Sequence, residues 1–410
     1  MKMRFCVLFV LAGLSLATAQ TTVGLVAHYT FDGDFTDATG NTTNTGQAVG
    51  TPVFTCGVLG QAILLDGAND QVRILSNAGV NQEFDTEDFT VSMYYKPVGL
   101  NGFQYLLSKQ DTGCMNGRGF FLRYAPLNKT LNLVLSQDND KNNNILALVD
   151  NQSCWQHVVI RRKDLRTAIY LNGEFVRDEG AASRVNIETN TPLYIGGGAC
   201  IGGVETTFAG LIDEVRVYSR ALDDEEIREL YIRPDQIVSS DTIIFLGNSF
   251  DVKLGPNCGD EFTWTPPSVD LSDPNVAEPT IFGGSPGSVV YRVRIADQVS
   301  PCVAFDSIRV TVVDPNTLPC EPAMPKAFTP NRDLLNDTYG LSNPFALSDL
   351  VSIEIFDRWG GLVFRSDDPF ARWDGTVAGE PVNPGVFLWK VVYRCNGTEL
   401  QNTGTVTVLR

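Results

Sequence analysis

Hydrophobic and polar residues alternate in short runs over residues 23–231, and Gly, Asn and Asp separate the runs. The segment Phe89–Tyr95 is apolar at every second position, a spacing that puts those side chains on one face of a strand. Ile169–Val176 has the pattern of a hairpin, because Asn172 and Gly173 at its centre tolerate the positive φ angles of a two-residue turn. Many short strands joined by such turns predict a β-sandwich.

One helix is predicted within this region. Asp223 is a candidate N-cap, and Glu226 three residues later completes a capping box. Leu222 can pack on Ile227, and the helix should end near Tyr231. The acidic residues of the first turn are explained by the helix dipole and need no catalytic role.

Two shorter strand-rich segments follow, at residues 235–315 and 320–410, and a Pro-rich stretch at 314–319 separates them. About eighty residues with several short strands fit an immunoglobulin-like sandwich. Through Trp264–Pro267, Leu271–Asn275 and Asp306–Ile308, the middle segment also resembles, more weakly, the immunoglobulin-like spacers of surface proteins. We therefore expect an all-β chain with three folded modules.

The N-terminus has the pattern of a signal peptide over residues 1–19. Lys2 and Arg4 precede an apolar run, and Ala17 and Ala19 supply the small residues of a cleavage site before Gln20. No later stretch reaches the roughly 18 apolar residues that a transmembrane helix needs. We expect an exported chain with no transmembrane segment.

The net charge of −17, from 31 basic and 48 acidic residues, argues against a nucleic-acid partner. An acidic surface repels the phosphate backbone, which supplies most of the affinity of nucleic-acid-binding proteins. Eight cysteines remain after the signal peptide, and in an oxidising compartment they are expected to form disulfides. Eight cysteines allow 105 pairings, so their number alone selects none.

Four motifs in the first module occur in an order typical of one family. That module, residues 20–233, resembles the laminin G-like, concanavalin A-like jelly-roll domains. The resemblance implies a sandwich of two antiparallel sheets that binds glycans or proteins. The motifs are Gly24–Gly33, Leu64–Gly67, Trp155–Val159 and Phe208–Leu222.

The last module, residues 320–410, resembles the gliding-motility-associated C-terminal domain, which is the type B sorting signal of type IX secretion. The chain departs from the usual glycines of this family at Arg332 and Leu334. The resemblance implies export through the periplasm and outer membrane to the cell surface or the medium, with the type IX secretion machinery as a partner. The matching residues are Phe328, Pro330, Asn331, Asn336, Asp337, Trp359, Gly360, Trp373, Asp374 and Gly375.

A calcium ion is the one cofactor that the sequence suggests. Asp213 is in phase with the apolar positions of its strand, where an unpaired charge is costly. Asp32, Asp37 and Asn41 form an oxygen-rich loop, and in the resembling family an early loop and a late strand can share calcium. The alternative is that the loop residues are turn-forming and that Asp213 is a core residue held by hydrogen bonds.

No catalytic residue is predicted. Asp213 and Glu214 are adjacent in a strand, so their side chains should point to opposite faces and cannot flank one glycosidic bond. Tyr94, Tyr105 and Tyr124 are candidates for glycan contacts, although tyrosines in strands are more often core residues.

These observations predict a jelly-roll two-sheet sandwich followed by two immunoglobulin-like modules. We expect a secreted or cell-surface binding or adhesion protein that recognises an extracellular glycan or protein. The alternative is a polysaccharide-degrading enzyme or its accessory carbohydrate-binding component. Disulfides that close single modules would join Cys258 to Cys302 and Cys320 to Cys395. A weaker assignment joins Cys114 to Cys200 and leaves Cys56 for Cys154.

Overall fold

A computed structural model describes residues 21–84, 87–111, 114, 117–149, 154–331, 336–347, 349–395 and 397–409. The predicted signal peptide lies outside the described residues. The chain forms two compact units. One contains the residues up to Thr242 together with Phe250–Phe282 and Val289–Val310, and the other contains Ile243–Ser249, Gly283–Ser288 and Thr311–Arg410.

The described residues of the first module form sixteen strands, one short α-helix and two 3-10 helices, Thr42–Asn44 and Gly79–Phe84. The strands are β1 (Leu25–Tyr29), β2 (Gln47–Val49), β3 (Val53–Cys56), β4 (Gln61–Asp66), β5 (Gln71–Ile74), β6 (Phe89–Pro97), β7 (Phe103–Gln110), β8 (Gly119–Ala125), β9 (Thr130–Ser136), β10 (Asn142–Leu148), β11 (Gln156–Lys163), β12 (Arg166–Leu171), β13 (Glu174–Gly180), β14 (Leu193–Ile195), β15 (Glu205–Thr207) and β16 (Ala209–Tyr218).

These strands form two eight-stranded sheets. In sheet A the order is β13-β12-β11-β6-β16-β4-β3, and β1 pairs with β16. In sheet B the order is β10-β9-β8-β7-β14-β5-β2, and β15 pairs with β7. Neighbours along each sheet are often distant in sequence, which agrees with the expected two-sheet, jelly-roll-like sandwich.

The main core lies between the two sheets. The alternating residues of Phe89–Tyr95 are buried in it, as the spacing predicts. The predicted hairpin is also confirmed, since Asn172 and Gly173 join β12 to β13 with φ angles of 51° and 81°. A sheet that buries one face must place its polar residues on the other, so each sheet also has an outer face.

The predicted capping box is confirmed in helix α1 (Asp224–Glu229). The Asp223 side chain accepts a hydrogen bond from the Glu226 amide, and the Glu226 side chain accepts one from the Asp223 amide. Leu222 and Ile227 share a buried apolar cluster on the outer face of sheet A. The helix therefore covers part of that face.

The middle segment contains strands β17 (Thr242–Phe245), β18 (Ser249–Asp251), β19 (Glu261–Thr265), β20 (Thr280–Phe282), β21 (Gly287–Ala296) and β22 (Val303–Val313). The strands β22, β21 and β19 are neighbours in that order, and β18 pairs with β20. The segment is all-β, while its immunoglobulin-like topology stays a prediction.

Two disulfides attach the middle segment to the jelly roll. Cys56 is bonded to Cys258, and Cys154 is bonded to Cys302, with Cα–Cα distances of 5.8 and 5.7 Å. The expected pairs Cys258–Cys302 and Cys56–Cys154 are therefore wrong. That expectation assumed that each disulfide closes its own module. In the structure the loops of the middle segment that carry Cys258 and Cys302 lie against the jelly roll, so cysteines of different modules come within bonding distance.

A buried ion pair lies at the same junction. The Lys96 ammonium of β6 pairs with the carboxylate of Asp297, and both side chains are almost wholly buried. Because breaking such a pair would leave a buried charge, it favours one fixed arrangement of the two segments. The parts of the middle segment that carry Cys258, Asp297 and Cys302 therefore belong to the same unit as the jelly roll.

The C-terminal unit contains β23 (Ala327–Phe328), β24 (Asp349–Phe356), β25 (Leu362–Ser366), β26 (Thr376–Val377), β27 (Glu380–Pro381), β28 (Gly385–Cys395) and β29 (Thr398–Val408). Five of them form a sheet of order β23-β29-β28-β24-β25. The structure joins Cys320 to Cys395 here, and Cys114 to Cys200 in the jelly roll, which are two of the pairs that we expected. An immunoglobulin-like form of this unit also stays a prediction.

Helix α1 is far too short to cross a bilayer, and the described residues include no helix that is long and apolar enough to do so.

Candidate functional site

The outer face of sheet B carries polar side chains at regular intervals. In β9, Leu131, Leu133 and Leu135 are buried in the core. Asn132 and Val134 alternate with them and therefore point away from the core. The same alternation in β8 and β10 produces a polar surface three strands wide.

Cross-strand pairing aligns these outward residues in rows. Phe121 of β8 and Asn144 of β10 lie opposite Val134 on either side of it. In the next row Arg123 lies opposite Asn132. Asn132 Nδ2 donates to Asn144 Oδ1 at 2.7 Å, which links the two rows.

The β9–β10 turn forms one wall of this surface. Asp138 Oδ1 accepts hydrogen bonds from the amides of Asp140 and Lys141 at 3.0 and 2.9 Å. Asn142 Nδ2 donates to the carbonyl of Asn139 at 3.0 Å. Side-chain bonds of this kind hold a turn in one conformation, so the polar groups are positioned before any ligand arrives.

The charge of Arg123 is already engaged. Its Nε donates to Asn132 Oδ1 at 3.1 Å, and its guanidinium pairs with the carboxylate of Glu205. The guanidinium also lies over the rings of Phe103 and Phe121, with 4.7 and 5.1 Å to the ring centroids. Arg123 is the one basic side chain among the described residues lining this surface, so the surface has no uncommitted cation.

Together these residues form a groove, called here the asparagine groove, with a volume of about 120 Å³. Amide and carboxylate groups beside a small apolar floor can exchange hydrogen bonds with a hydroxyl-rich ligand. The volume is below the range typical of sites that enclose a whole small molecule, so the groove suits part of a longer ligand. The lining residues are Phe121, Arg123, Asn132, Val134, Ser136, Asp138, Asn139, Asn142 and Asn144.

The outer face of sheet A, in contrast, is buried around its central strands β6, β11 and β16. His157 of β11 lies under Tyr231, its Nε2 is 2.7 Å from Ser92 Oγ, and its ring stacks on Tyr94 at 4.5 Å. Burial, with a contribution from the charge of Arg216, lowers the pKa of His157 to about 3. The histidine is therefore neutral and structural.

Two of the predicted calcium ligands instead hold the β3–β4 turn. Asp213 Oδ2 accepts hydrogen bonds from the amides of Val58 and Leu59 at 2.7 and 3.2 Å. Asp32 Oδ1 accepts one from the amide of Gln61 at 2.7 Å. Both carboxylates thus bind backbone N–H groups at the turn that follows Cys56.

The other two predicted ligands lie in the loop after β1. Asp37 accepts hydrogen bonds from the His28 and Thr39 amides and from Asn44 Nδ2. Asn41 Oδ1 accepts from the amide and hydroxyl of Thr43. In the part of the chain that the structure describes, no three His, Cys, Asp or Glu side chains are placed to hold a metal ion. Each of the four predicted ligands accepts local hydrogen bonds, and a calcium site formed by them stays a prediction.

A β-bulge explains why the phase of Asp213 was wrong. The β6–β16 register shifts between Asp213 and Arg216, and Glu214 has a φ of 51°. Asp213 therefore lies on the face opposite to the core residue Val215. Burial and the charge of Glu214 raise the pKa of Asp213 to about 8, while three amide donors act to lower it.

Glu214 is engaged by a histidine of the neighbouring strand β1 and by an arginine of its own strand. Its Oε2 lies 2.8 Å from His28 Nε2, and the guanidinium of Arg216 pairs with the same oxygen. Neither Asp213 nor Glu214 is open to a substrate, because both are buried.

The three tyrosines suggested for glycan contact are all buried. Tyr94 donates from its hydroxyl to the Leu230 carbonyl and accepts from the Ile232 amide. Tyr124 belongs to the core between the sheets. Burial and the nearby charge of Glu205 raise the pKa of Tyr105 to about 12.

The predicted sorting residues divide into core, turn and surface positions. Phe328 and Trp373 pack together in the C-terminal core, with ring centroids 5.4 Å apart. Three others form hydrogen bonds in turns. The Asp374 Oδ1 atom accepts a hydrogen bond from the Thr376 amide. The Asn336 carbonyl accepts one from the Thr329 amide, and the Asn331 amide donates one to the Thr329 carbonyl. Trp359 is exposed. The remaining positions are Pro330, which lies close to Gly375, the exposed Gly360, and the partly buried Asp337.

Comparison with known protein families agrees with this architecture. Residues 66–228 match the concanavalin A-like lectin/glucanases superfamily, and residues 323–408 match the CHU_C type IX secretion signal domain. The chain carries a laminin G-like, concanavalin A-like domain and a type IX secretion signal domain. The secretion signal domain implies export to the cell surface or the medium.

Solved structures similar to parts of this chain include sugar-bound and receptor-binding domains. Domain 4 of AbnA, an extracellular arabinanase from Geobacillus stearothermophilus, in complex with arabinotriose, is 21% identical and covers 50% of this chain and 98% of its own, with a TM-score of 0.39. The CBM40 of the Ruminococcus gnavus IT-sialidase bound to α2,3 sialyllactose is 19% identical over 42% of this chain and 96% of its own, with a TM-score of 0.37. The receptor binding domain of a botulinum neurotoxin C/D mosaic serotype is 12% identical over 92% and 72%, with a TM-score of 0.43. No match was found among curated proteins.

The asparagine groove was not identified from the sequence of this lectin-like domain, although a signal was present. In β9 every second residue is a leucine, and Asn132 interrupts the apolar strand between two of them. Asn139, Asn142 and Asn144 follow within the next turn and strand. What the sequence lacked was the information that these positions share an uncovered face.

Proposed function

We propose that this exported protein binds an uncharged glycan through the asparagine groove on the outer face of sheet B. The observation that carries the proposal is the cross-strand array of Asn132, Asn144 and Asn142 beside Val134. Amide groups suit hydroxyls because each amide can both donate and accept a hydrogen bond. The concanavalin A-like fold of the domain supports the same proposal.

The charged residues that line the asparagine groove favour uncharged glycans over acidic ones. The guanidinium of Arg123 is already paired with Glu205, and Asp138 adds a carboxylate to the lining. A sialylated, uronic or sulfated ligand would bring a negative charge to a surface with no free cation, and its desolvation would be uncompensated. Neutral hexose or pentose polymers avoid that cost.

Binding without hydrolysis is the function that this groove supports. Glycoside hydrolysis uses a pair of carboxylates that flank the bond. Asp138 is the one carboxylate among the described lining residues, and its Oδ1 is occupied by turn amides. The alternative, an accessory carbohydrate-binding component of a degrading system, would use the same groove.

The test is a glycan array that carries neutral and acidic polymers, probed with the full chain. We expect binding to neutral polymers, and a loss of at least about tenfold in the variant Asn142→Ala/Asn144→Ala, because lost hydrogen bonds to a bound ligand typically cost about 1 kcal/mol or more each. Asn275→Ala is the matched control, since Asn275 is exposed in the middle segment. Neutral-polymer binding that survives the double substitution would refute the groove.

Repeating the array with a chelator distinguishes binding through the asparagine groove from binding that depends on calcium. The groove proposal expects the same affinity with and without chelator, because binding depends on amide groups. Loss of binding in chelator would instead favour a cation held by loop carboxylates such as Asp32 and Asp37. Reducing-end release from any bound polymer would favour the enzyme alternative.

A further inference from the structure

The turn between β24 and β25 of the secretion signal domain is tightly held. Asp357 Oδ1 accepts hydrogen bonds from the amides of Trp359 and Gly361, both at 2.8 Å. The backbone of Asp357 also bonds to Gly360 and Gly361. Gly360 has a φ of 84°, which favours glycine at this position. The conformation of the turn is therefore set without any contact from the Trp359 side chain.

The side chain of Trp359 nevertheless projects into solvent. It is 84% exposed, whereas four other aromatic residues of the same unit, Phe328, Tyr339, Trp373 and Phe387, form its core. An exposed tryptophan on a rigid turn contributes little to folding. It is the side chain most often found as an energetic anchor in protein–protein interfaces.

A groove lies beside this tryptophan, called here the tryptophan groove. Its volume is about 370 Å³, and it lies wholly within the C-terminal unit. Val363, Val377, Val382 and Val386 contribute an apolar lining, and Val386 is itself 54% exposed. This volume is large enough to accept one or two side chains of a partner.

Among the described residues that line the tryptophan groove, Arg358 supplies the positive charge. Asp357 lines the groove, but its carboxylate is engaged in the turn, while the guanidinium of Arg358 lies 5.5 Å from the centroid of the Trp359 ring. A partner with a carboxylate next to an apolar side chain would complement both the rim and the floor.

We propose that the tryptophan groove is the surface by which the type IX secretion machinery reads this domain. The occupant is a segment of a machinery protein that inserts an apolar side chain beside Trp359 and places an acidic residue near Arg358. The family match names the domain as a secretion signal, and a signal must present a surface to a receptor. The preformed turn meets that need, since it binds without an ordering cost. This proposal is independent of the asparagine groove.

The test measures export of the full chain in a bacterium that carries a type IX system. Trp359→Ala removes the anchor, and Val386→Asp places a charge in the floor while leaving the turn intact. Phe370→Ala is the control, since Phe370 is an exposed aromatic residue of the same unit that does not line the groove. Each variant is purified from the compartment in which it accumulates, and its melting temperature is compared with that of the original protein.

We expect both groove variants to keep the original melting temperature and to accumulate in the periplasm, with at least about a tenfold fall in the exported fraction. The control should be exported normally. Normal export of either groove variant would overturn the proposal. Loss of neutral-glycan binding by an exported Trp359→Ala variant would also overturn it and would make the indole a sugar-stacking surface.

Discussion

The two sheets of the jelly roll bury the same core between them, yet their outer faces differ. The outer face of sheet A is covered by helix α1 and by the disulfide-linked middle segment, and it buries Tyr94, Trp155 and Leu211. The outer face of sheet B carries the asparagine groove. Because the outer face of sheet A is covered, the outer face of sheet B is the one left open to a ligand.

The composition of the two faces follows from this covering. On sheet A, apolar clusters surround a few polar groups that are paired inside the protein, such as His157 with Ser92. On sheet B, the exposed Asn144 bonds to Asn132, which is itself nearly buried. A buried polar group needs a protein partner, while an exposed one can exchange partners with a ligand.

The largest effect is expected when the disulfides that hold the middle segment on sheet A are removed. Replacing Cys56, Cys258, Cys154 and Cys302 by serine deletes two crosslinks with sequence separations of 202 and 148 residues. We expect a loss of unfolding free energy of about 4 kcal/mol for each bridge, because the crosslinks restrict the unfolded chain. Hydrogen exchange should show new exposure of β6 and β11, and denaturant unfolding gives the free energy.

The control for this experiment is Cys114→Ser/Cys200→Ser, which removes a disulfide of the jelly roll alone. It should also lower stability, but β6 and β11 should stay protected from exchange. Equal protection of these strands in both variants would mean that the disulfides do not hold the cover in place.

A matched pair of substitutions compares the two faces directly. Leu211 of sheet A is 2% exposed, and Leu211→Ala should cost about 3 kcal/mol because it leaves a cavity. Val134 of sheet B is only partly buried, so Val134→Ala should cost less than about 1 kcal/mol. Urea unfolding measures both values. Similar costs would show that sheet B is covered as well, and the groove would then be no binding surface.

The pH dependence of stability probes the junction on sheet A. Burial and the charge of Asp297 raise the pKa of Asp235 to about 6, although Lys96 acts to lower it. The folded protein then binds a proton more tightly than the unfolded chain. The unfolding free energy should fall as the pH rises from about 4 to about 6, by an amount on the order of 2 kcal/mol, and this contribution should be constant above that interval.

Asp235→Asn should flatten this part of the pH profile, as measured by denaturant unfolding between pH 4 and pH 8. Asp367→Asn is the control, because Asp367 is exposed in the C-terminal unit. A profile that Asp235→Asn leaves unchanged would assign the pH dependence to another group.

Much of the jelly roll could be predicted because its signals are local. The alternation of Phe89–Tyr95, the Asn172–Gly173 turn and the Asp223 cap each depend on residues close in sequence. The site could not be predicted in the same way. Asn132 and Asn144 are twelve positions apart, and strand pairing brings them together.

The incorrect expectations also have physical causes. The strand phase of Asp213 was predicted from uninterrupted alternation, but the bulge at Glu214 moved its side chain to the other face. The disulfide hypothesis paired Cys258 with Cys302 because each small module was expected to fold by itself. The loops that carry these two cysteines lie against the jelly roll instead, so their bonding partners belong to another module.

The amino-acid sequence by itself determined the strand content, the hairpin, the helix cap and the two family resemblances, because these depend on residue type and short spacing. Only the tertiary structure decided which cysteines meet, which sheet face stays open and which polar residues share it. Those properties depend on contacts between segments that are far apart along the chain, and residue order carries no direct record of such contacts.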